Sequence, residues 1–112
     1  MPNRSIVIHT ARRRLELYEG NRLIQSYPIA VGKSATPTPN GHYSIATKTV
    51  SPGGVFGSRW MGLTIPGYGI HGTNNPASIG QAVSKGCIRM HNHDAESLFQ
   101  RVKIGTPVNI LR

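Results

Sequence analysis

The sequence predicts a mainly β domain with one α-helix in its C-terminal half. Three observations carry that reading. Thirteen glycines and eight prolines cut the 112 residues into short runs. Those runs alternate apolar and polar residues, the period of a half-buried strand. Only the stretch after Asn92 shows an apolar stripe at helical spacing. The length supports one core, so residues 1–112 are read as a single domain. A lone cysteine excludes an internal disulfide, which leaves burial and backbone hydrogen bonding to hold the fold.

Taken in order, Ser5 to His9 is a β-branched run and a first strand. Arg14 to Tyr18 alternates, meets the turn residues Glu19-Gly20-Asn21, and resumes from Leu23 to Val31. That pattern predicts a hairpin with Leu23, Tyr27, Ile29 and Val31 on one buried face, and Pro28 marking an edge or a bulge. The prolines of Gly32 to Gly41 make a loop. His42 to Val50 alternates again, with Tyr43, Ile45 and Thr47 facing one way. After the break at Ser51-Pro52-Gly53-Gly54, Trp60 to Ile65 and Tyr68 to His71 read as two short strands split by Pro66-Gly67. Asn75 to Ile79 suits one helical turn with Pro76 at its start.

Asn92 is the expected cap of the helix, with Asp94 and Glu96 placing negative charge in its first turns. Ala95, Leu98, Phe99 and Val102 form the stripe, and Gly105 is the expected stop. Thr106 to Leu111 closes the chain as a strand.

Thirteen Lys and Arg against four Asp and Glu leave a net charge of +9, which points to an acidic partner such as nucleic acid or an anionic wall polymer. The basic residues are dispersed apart from Arg12-Arg13-Arg14, and the aromatics are not interleaved with them, so no nucleic-acid partner is expected. No run reads as a signal peptide or a membrane segment.

The chemistry concentrates between Tyr68 and Asp94, which hold Cys87 and three of the five histidines. A thiol beside glycine, with a His-Gly-Thr turn upstream, has the parts of a nucleophile and its base. Lys85 and Arg89 flank Cys87 and favour its thiolate, Gly86 leaves room for a substrate backbone, and the Gly86 and Cys87 amides are candidate oxyanion donors. Two other readings compete. A single cysteine is often a small buried hydrophobe. Cys87, His91, His93 and Asp94 also offer metal ligands, but without the second cluster a structural zinc needs, so no metal and no cofactor are expected.

His71-Gly72-Thr73 followed by Ser84-x-Gly86-Cys87-x-Arg89-Met90-x-Asn92-x-Asp94 resembles the signature of the L,D-transpeptidases of the YkuD type. Thr38-Pro39-x-Gly41-x-Tyr43-x-Ile45 resembles the segment that precedes the catalytic half in that family. The resemblance implies a β-sheet capsule or sandwich with a helix at its side. It implies Cys87 as nucleophile and His71 as base, with the carbonyl of Gly72 holding the other ring nitrogen. Tyr68, Ser84, Lys85, Gly86 and Arg89 are then the expected substrate-binding residues.

The implied substrate is a peptidoglycan stem tetrapeptide, attacked at the diaminopimelate–D-alanine bond. A thioester forms and is passed to the amine of a second stem, with carboxypeptidase activity where water replaces that amine. Lys85 stands where many members have histidine, and Arg89 where others have asparagine, which bears on substrate preference. The expected state is a monomer acting on the cell wall, in an envelope, periplasm or spore, by an export route the sequence does not set. The runner-up is a non-catalytic wall-binding module of the same fold. The intact pair His71 and Cys87 argues against it, since a pure binder needs neither.

Overall fold

Alternation in the first third of the chain becomes a meander of antiparallel strands. In the computed structural model, which describes residues 3–112, β1 (Arg4–His9) pairs with β2 (Arg14–Glu19), and β2 with β3 (Arg22–Pro28). Met1 and Pro2, at the head of the stretch read as lacking a leader, lie outside the described residues. Ile6, Ile8, Leu15 and Leu17 turn to one face and are fully buried. Leu23 does not join them. A register shift at Leu17/Tyr18 places Leu23 opposite Tyr18, and it is 47% exposed. An extra residue on one strand flips the faces beyond it, which simple alternation cannot register.

The run predicted from Leu23 to Val31 also breaks. β3 ends at Pro28, and the chain turns away to pair Ala30 with Arg89 and β4 (Val31–Gly32) with β8 (Ala82–Ser84). Ile29, Ala30 and Val31 stay buried, so the burial was legible and the pairing was not.

β5 (Gly41–Val50) joins the sheet, followed by β6 (Arg59–Leu63), β7 (Gly69–His71), β9 (Ile88–Arg89) and β10 (Pro107–Leu111). The eight-stranded order is β3-β2-β1-β10-β5-β6-β7-β9, with β4 and β8 as a separate pair. Ile45 is buried as expected, but a register shift between Ile45 and Thr47 leaves Thr47 exposed. Buried residues from the two ends of the sheet order, Tyr27 on β3 and Ile88 on β9, share one core cluster, so the sheet curls around a single interior. The result is the mainly β, one-helix capsule that the sequence predicted.

α1 (Asn92–Arg101) packs against β6 and β7, burying Ala95 and Leu98, while Tyr27 of β3 meets Ser97 at 3.0 Å. Its ends differ from expectation. His91 occupies the cap position without a side-chain cap bond, and the Asn92 side-chain oxygen, expected to cap, accepts from the Ser58 and Thr73 amides. Gly105 does not stop the helix, which has ended at Arg101. Lys48 Nζ donates to the carbonyls of Phe99 and Val102, both at 2.7 Å, and Arg4 donates to that of Arg101 at 2.8 Å. Cations at a helix C-terminus satisfy its orphan carbonyls and its dipole together, so no glycine cap is needed. Pro76–Ser78 forms a single 3-10 turn with proline at its start, as read. No helix among the described residues is long and apolar enough to cross a membrane.

Ile70 and Ile88 face each other across β7 and β9, both fully buried. Truncating Ile70 to alanine should lower unfolding free energy by about 2–5 kcal/mol, through lost transfer energy and the cavity left behind. Urea denaturation should show it as a lower midpoint at nearly unchanged slope.

Candidate active site

Chain direction brings the two halves of the motif together. β7 and β9 run parallel with Ile70 opposite Ile88 and His71 opposite Arg89. Cys87 ends the loop leading into β9, against the glycine that precedes Ile70. Ile70 and Ile88 point into the core, so alternation turns their neighbours to the other side of the sheet. His71 and Arg89 therefore share the face that the loop presents beside Cys87.

The loop is held by hydroxyls. Ser84 Oγ donates to the Cys87 carbonyl at 2.7 Å and accepts from the Gly86 amide at 3.0 Å, tying both ends of the turn. Thr38 Oγ1 donates to the Gly86 carbonyl at 2.8 Å while accepting from the Gly32 amide at 2.9 Å. Gly86 has φ +123, and a Cβ there would strike the Tyr68 ring. Ser84 and Gly86 are thus buried supports, Tyr68 is half-buried over the turn, and Lys85 is exposed. The Gly86 amide is committed to Ser84, whereas the Cys87 amide donates to no acceptor among the described residues.

Cys87 is a half-exposed free thiol whose Sγ donates weakly to the Gly67 carbonyl at 3.8 Å. Burial pushes the thiol up from its ordinary value, and a Gly69 backbone hydrogen bond and the Arg89 charge offset part of that. The flanking cations therefore do not hold a resting thiolate, contrary to the sequence expectation. Lys85 is on the surface, and the desolvation of Sγ outweighs Arg89.

His71 is 3% exposed, and its Nδ1 lies 2.5 Å from the Gly72 carbonyl oxygen. A carbonyl only accepts, so Nδ1 carries the proton and Nε2 keeps a free lone pair. Burial lowers the imidazole from its ordinary value, the Gly72 bond raises it in part, and Arg89 lowers it further. The ring is neutral at pH 7, as a proton acceptor must be. Trp60 stacks on it at 5.6 Å, and Phe56 meets it edge-on at 5.1 Å.

Arg89 is half-buried, and its charge reaches both Cys87 and His71. Asp94 pairs with His93 at 3.3 Å, and among the described residues Arg89 makes no salt bridge. No group of three or more potential metal ligands occurs among the described residues. A cavity of about 620 Å³ is lined by residues such as Arg4, Gln100 and Lys103 and includes none of the motif residues. A shallow groove can hold an extended peptide without enclosing volume, so the chemistry and not the cavity size marks the site.

Sequence reasoning missed three contributors. Phe56 and Trp60 carried no motif and are recognisable only by their rings against His71. Thr38 lay inside a quoted segment, but its bond to Gly86 spans 48 positions.

The geometry agrees with comparisons to known proteins. A YkuD profile, the L,D-transpeptidase catalytic domain, matches residues 3–110. The YkuD relative of Bacillus subtilis (strain 168), named as an L,D-transpeptidase, is 52% identical over 107 residues, covering 96% of this chain and 65% of its own. Its counterpart in Bacillus licheniformis is 53% identical over 105 residues, covering 94% and 64%. The chain thus spans less than two-thirds of the length of these relatives. Among solved structures, the catalytic domain of the E. faecium L,D-transpeptidase superposes with TM-score 0.83 at 25% identity, covering 99% of this chain and 98% of that one. L,D-transpeptidase 3 from Mycobacterium tuberculosis superposes with TM-score 0.88 at 20% identity, covering 99% and 62%, and supports the fold alone. A profile match over nearly the whole chain, and identities above half over most of it, place this protein in the YkuD family of L,D-transpeptidase catalytic domains.

Proposed function

We propose that this domain is a cysteine acyltransferase that cross-links peptidoglycan stem peptides, with Cys87 as nucleophile and His71 as base. The observation that carries the reading is the His71 imidazole, neutral and held through Nδ1 by Gly72, on the strand alongside Cys87. Nε2 takes the proton from Sγ as sulfur bonds to the carbonyl carbon between diaminopimelate and the terminal D-alanine. The C–N bond breaks, His71 returns the proton to the departing amine, and a thioester is left on Cys87. The side-chain amine of a second stem attacks that thioester, gives its proton to Nε2, and the thiol is restored. Water in place of the amine gives the carboxypeptidase reaction. The free Cys87 amide is a donor for the developing oxyanion. Because the resting thiol is protonated, proton removal belongs to the attack step and the base is indispensable.

Incubation with a stem tetrapeptide or a carbapenem, followed by intact-mass measurement, tests the reading. A covalent adduct that disappears in Cys87→Ala, with an unchanged melting curve, is expected. Retention on insoluble peptidoglycan without adduct or D-alanine release would favour the binding module instead. His71→Gln should slow acylation by roughly 10²–10⁴-fold, the usual contribution of a positioned base. A rate within a few-fold of wild type contradicts the assignment.

Burial holds His71 below the ordinary imidazole value of 6.5. The neutral base therefore persists as pH falls through 6.5, and the acid limb of the acylation rate should have its midpoint below that value. A midpoint above it would mean that another group controls the rate.

Arg89, unpaired and on the catalytic face, is the proposed contact for a substrate carboxylate. Guanidinium presents two parallel donors that lysine cannot copy. Arg89→Lys should raise KM for stem peptide about tenfold, the equivalent of about 1.4 kcal/mol, with carbapenem acylation less affected. An equal fall in both activities with a lower Tm would make Arg89 a structural brace.

A further inference from the structure

We propose that Asn92 is a positioning residue whose side-chain oxygen clamps the His71–Gly72 turn and the aromatic loop over His71 into one unit. The inference rests on His71 serving as the base. Asn92 Oδ1 accepts from the Thr73 amide and from the Ser58 amide, each at 3.1 Å. The first bond fixes the backbone just after Gly72, whose carbonyl takes the proton of His71 Nδ1. The second fixes the end of the segment that carries Phe56, the ring lying edge-on to the imidazole. The Ser58 hydroxyl adds a longer bond to the Asn92 carbonyl at 3.4 Å.

The slot is built for this amide. Gly57 and Gly72 face it from opposite segments, and a Cβ on either would collide with Oδ1. Gly57 also has φ +64, a conformation few other residues accept. Asn92 itself is the first residue of α1, whose Ala95 and Leu98 are buried and whose far end Lys48 holds. The oxygen therefore stands on a rigid element. Between the His71 strand and the loop bearing Phe56 it supplies the side-chain bridge, and a neutral amide accepts both bonds without adding charge beside the imidazole. Loss of that bridge frees the Gly72 carbonyl to rotate, and with it the preference for the Nδ1–H tautomer.

Three variants test the idea: Asn92→Ala, Asn92→Leu, which keeps the shape without an acceptor, and Asn92→Asp, which keeps the acceptor. Long-range ¹H–¹⁵N spectra of the substrate-free protein read the His71 tautomer directly, and stopped-flow acylation by imipenem reads the consequence. Wild type and Asn92→Asp should both hold the Nδ1–H form, and Asn92→Asp, which keeps the acceptor but adds charge, should lose less rate than either variant without an acceptor. The two variants without an acceptor should show mixed tautomers and acylate about 10–100-fold more slowly, the loss expected of a base displaced by up to an ångström. Folded Asn92→Ala or Asn92→Leu protein with the wild-type tautomer and rate overturns the proposal. So does an equal loss in all three variants. Where neither Asn92→Ala nor Asn92→Leu folds, amide exchange in the wild type decides: Ser58 and Thr73 protected at least tenfold supports the clamp, and exchange as fast as an open loop overturns it. A wild-type protein that imipenem never acylates would defeat the transpeptidase reading, while the tautomer spectra would still decide the role of Asn92.

Discussion

The site depends above all on one short parallel ladder. β7 contributes Gly69 to His71 and β9 only Ile88 and Arg89, yet their register sets His71 beside the segment that carries Cys87. Parallel neighbours need a crossover, and here it is the 3-10 turn and β8 in place of a helix. So small a ladder would slip on hydrogen bonds alone. Ile70 and Ile88 prevent that, because a one-residue slip of either strand would turn its isoleucine out of the core. Backbone bonds from Met90 to His71 and between Arg89 and Ala30 extend the constraint to either side.

Around that ladder, loops are disciplined by side chains that replace missing sheet bonds. Ser84 closes the turn before Cys87, Thr38 ties the turn to the proline-rich segment, and Thr36 Oγ1 adds a bond to the Ser84 carbonyl at 3.0 Å. Ser84 and Thr38 satisfy carbonyls of the turn, and Thr36 adds a second donor to the Ser84 carbonyl beside the Lys33 amide. The proline-rich loop is therefore the outer wall of the Cys87 turn and not a passive connection.

Electrostatically the site is tuned toward neutrality. Burial disfavours charge on both Cys87 and His71, so a thiol and an imidazole coexist in place of an ion pair. Arg89 acts oppositely on the two. It favours thiolate at Cys87 and opposes imidazolium at His71. The rings of Trp60 and Phe56 enforce the same neutrality by excluding water from the imidazole.

Local pattern was enough for the β class, the hairpin, the strand ending at His71 and the helical stripe, because each rests on periodicity within a few residues. The motif residues were also legible, since a lone thiol behind glycine and a His-Gly-Thr turn are chemically distinctive. Pairings, bulges and side-chain destinations were not. Leu23 lies outside because of an extra residue on one strand, and Val31 pairs with Ala82 across 51 positions. Asn92 had the sequence of a helix cap, but its oxygen is taken by the amides of Ser58 and Thr73. Flanking basic residues suggested a thiolate, whereas the desolvation of Cys87 decides for the thiol. Composition and period are properties of neighbouring residues; register and desolvation depend on what the folded chain places beside them, and only the tertiary structure specifies that.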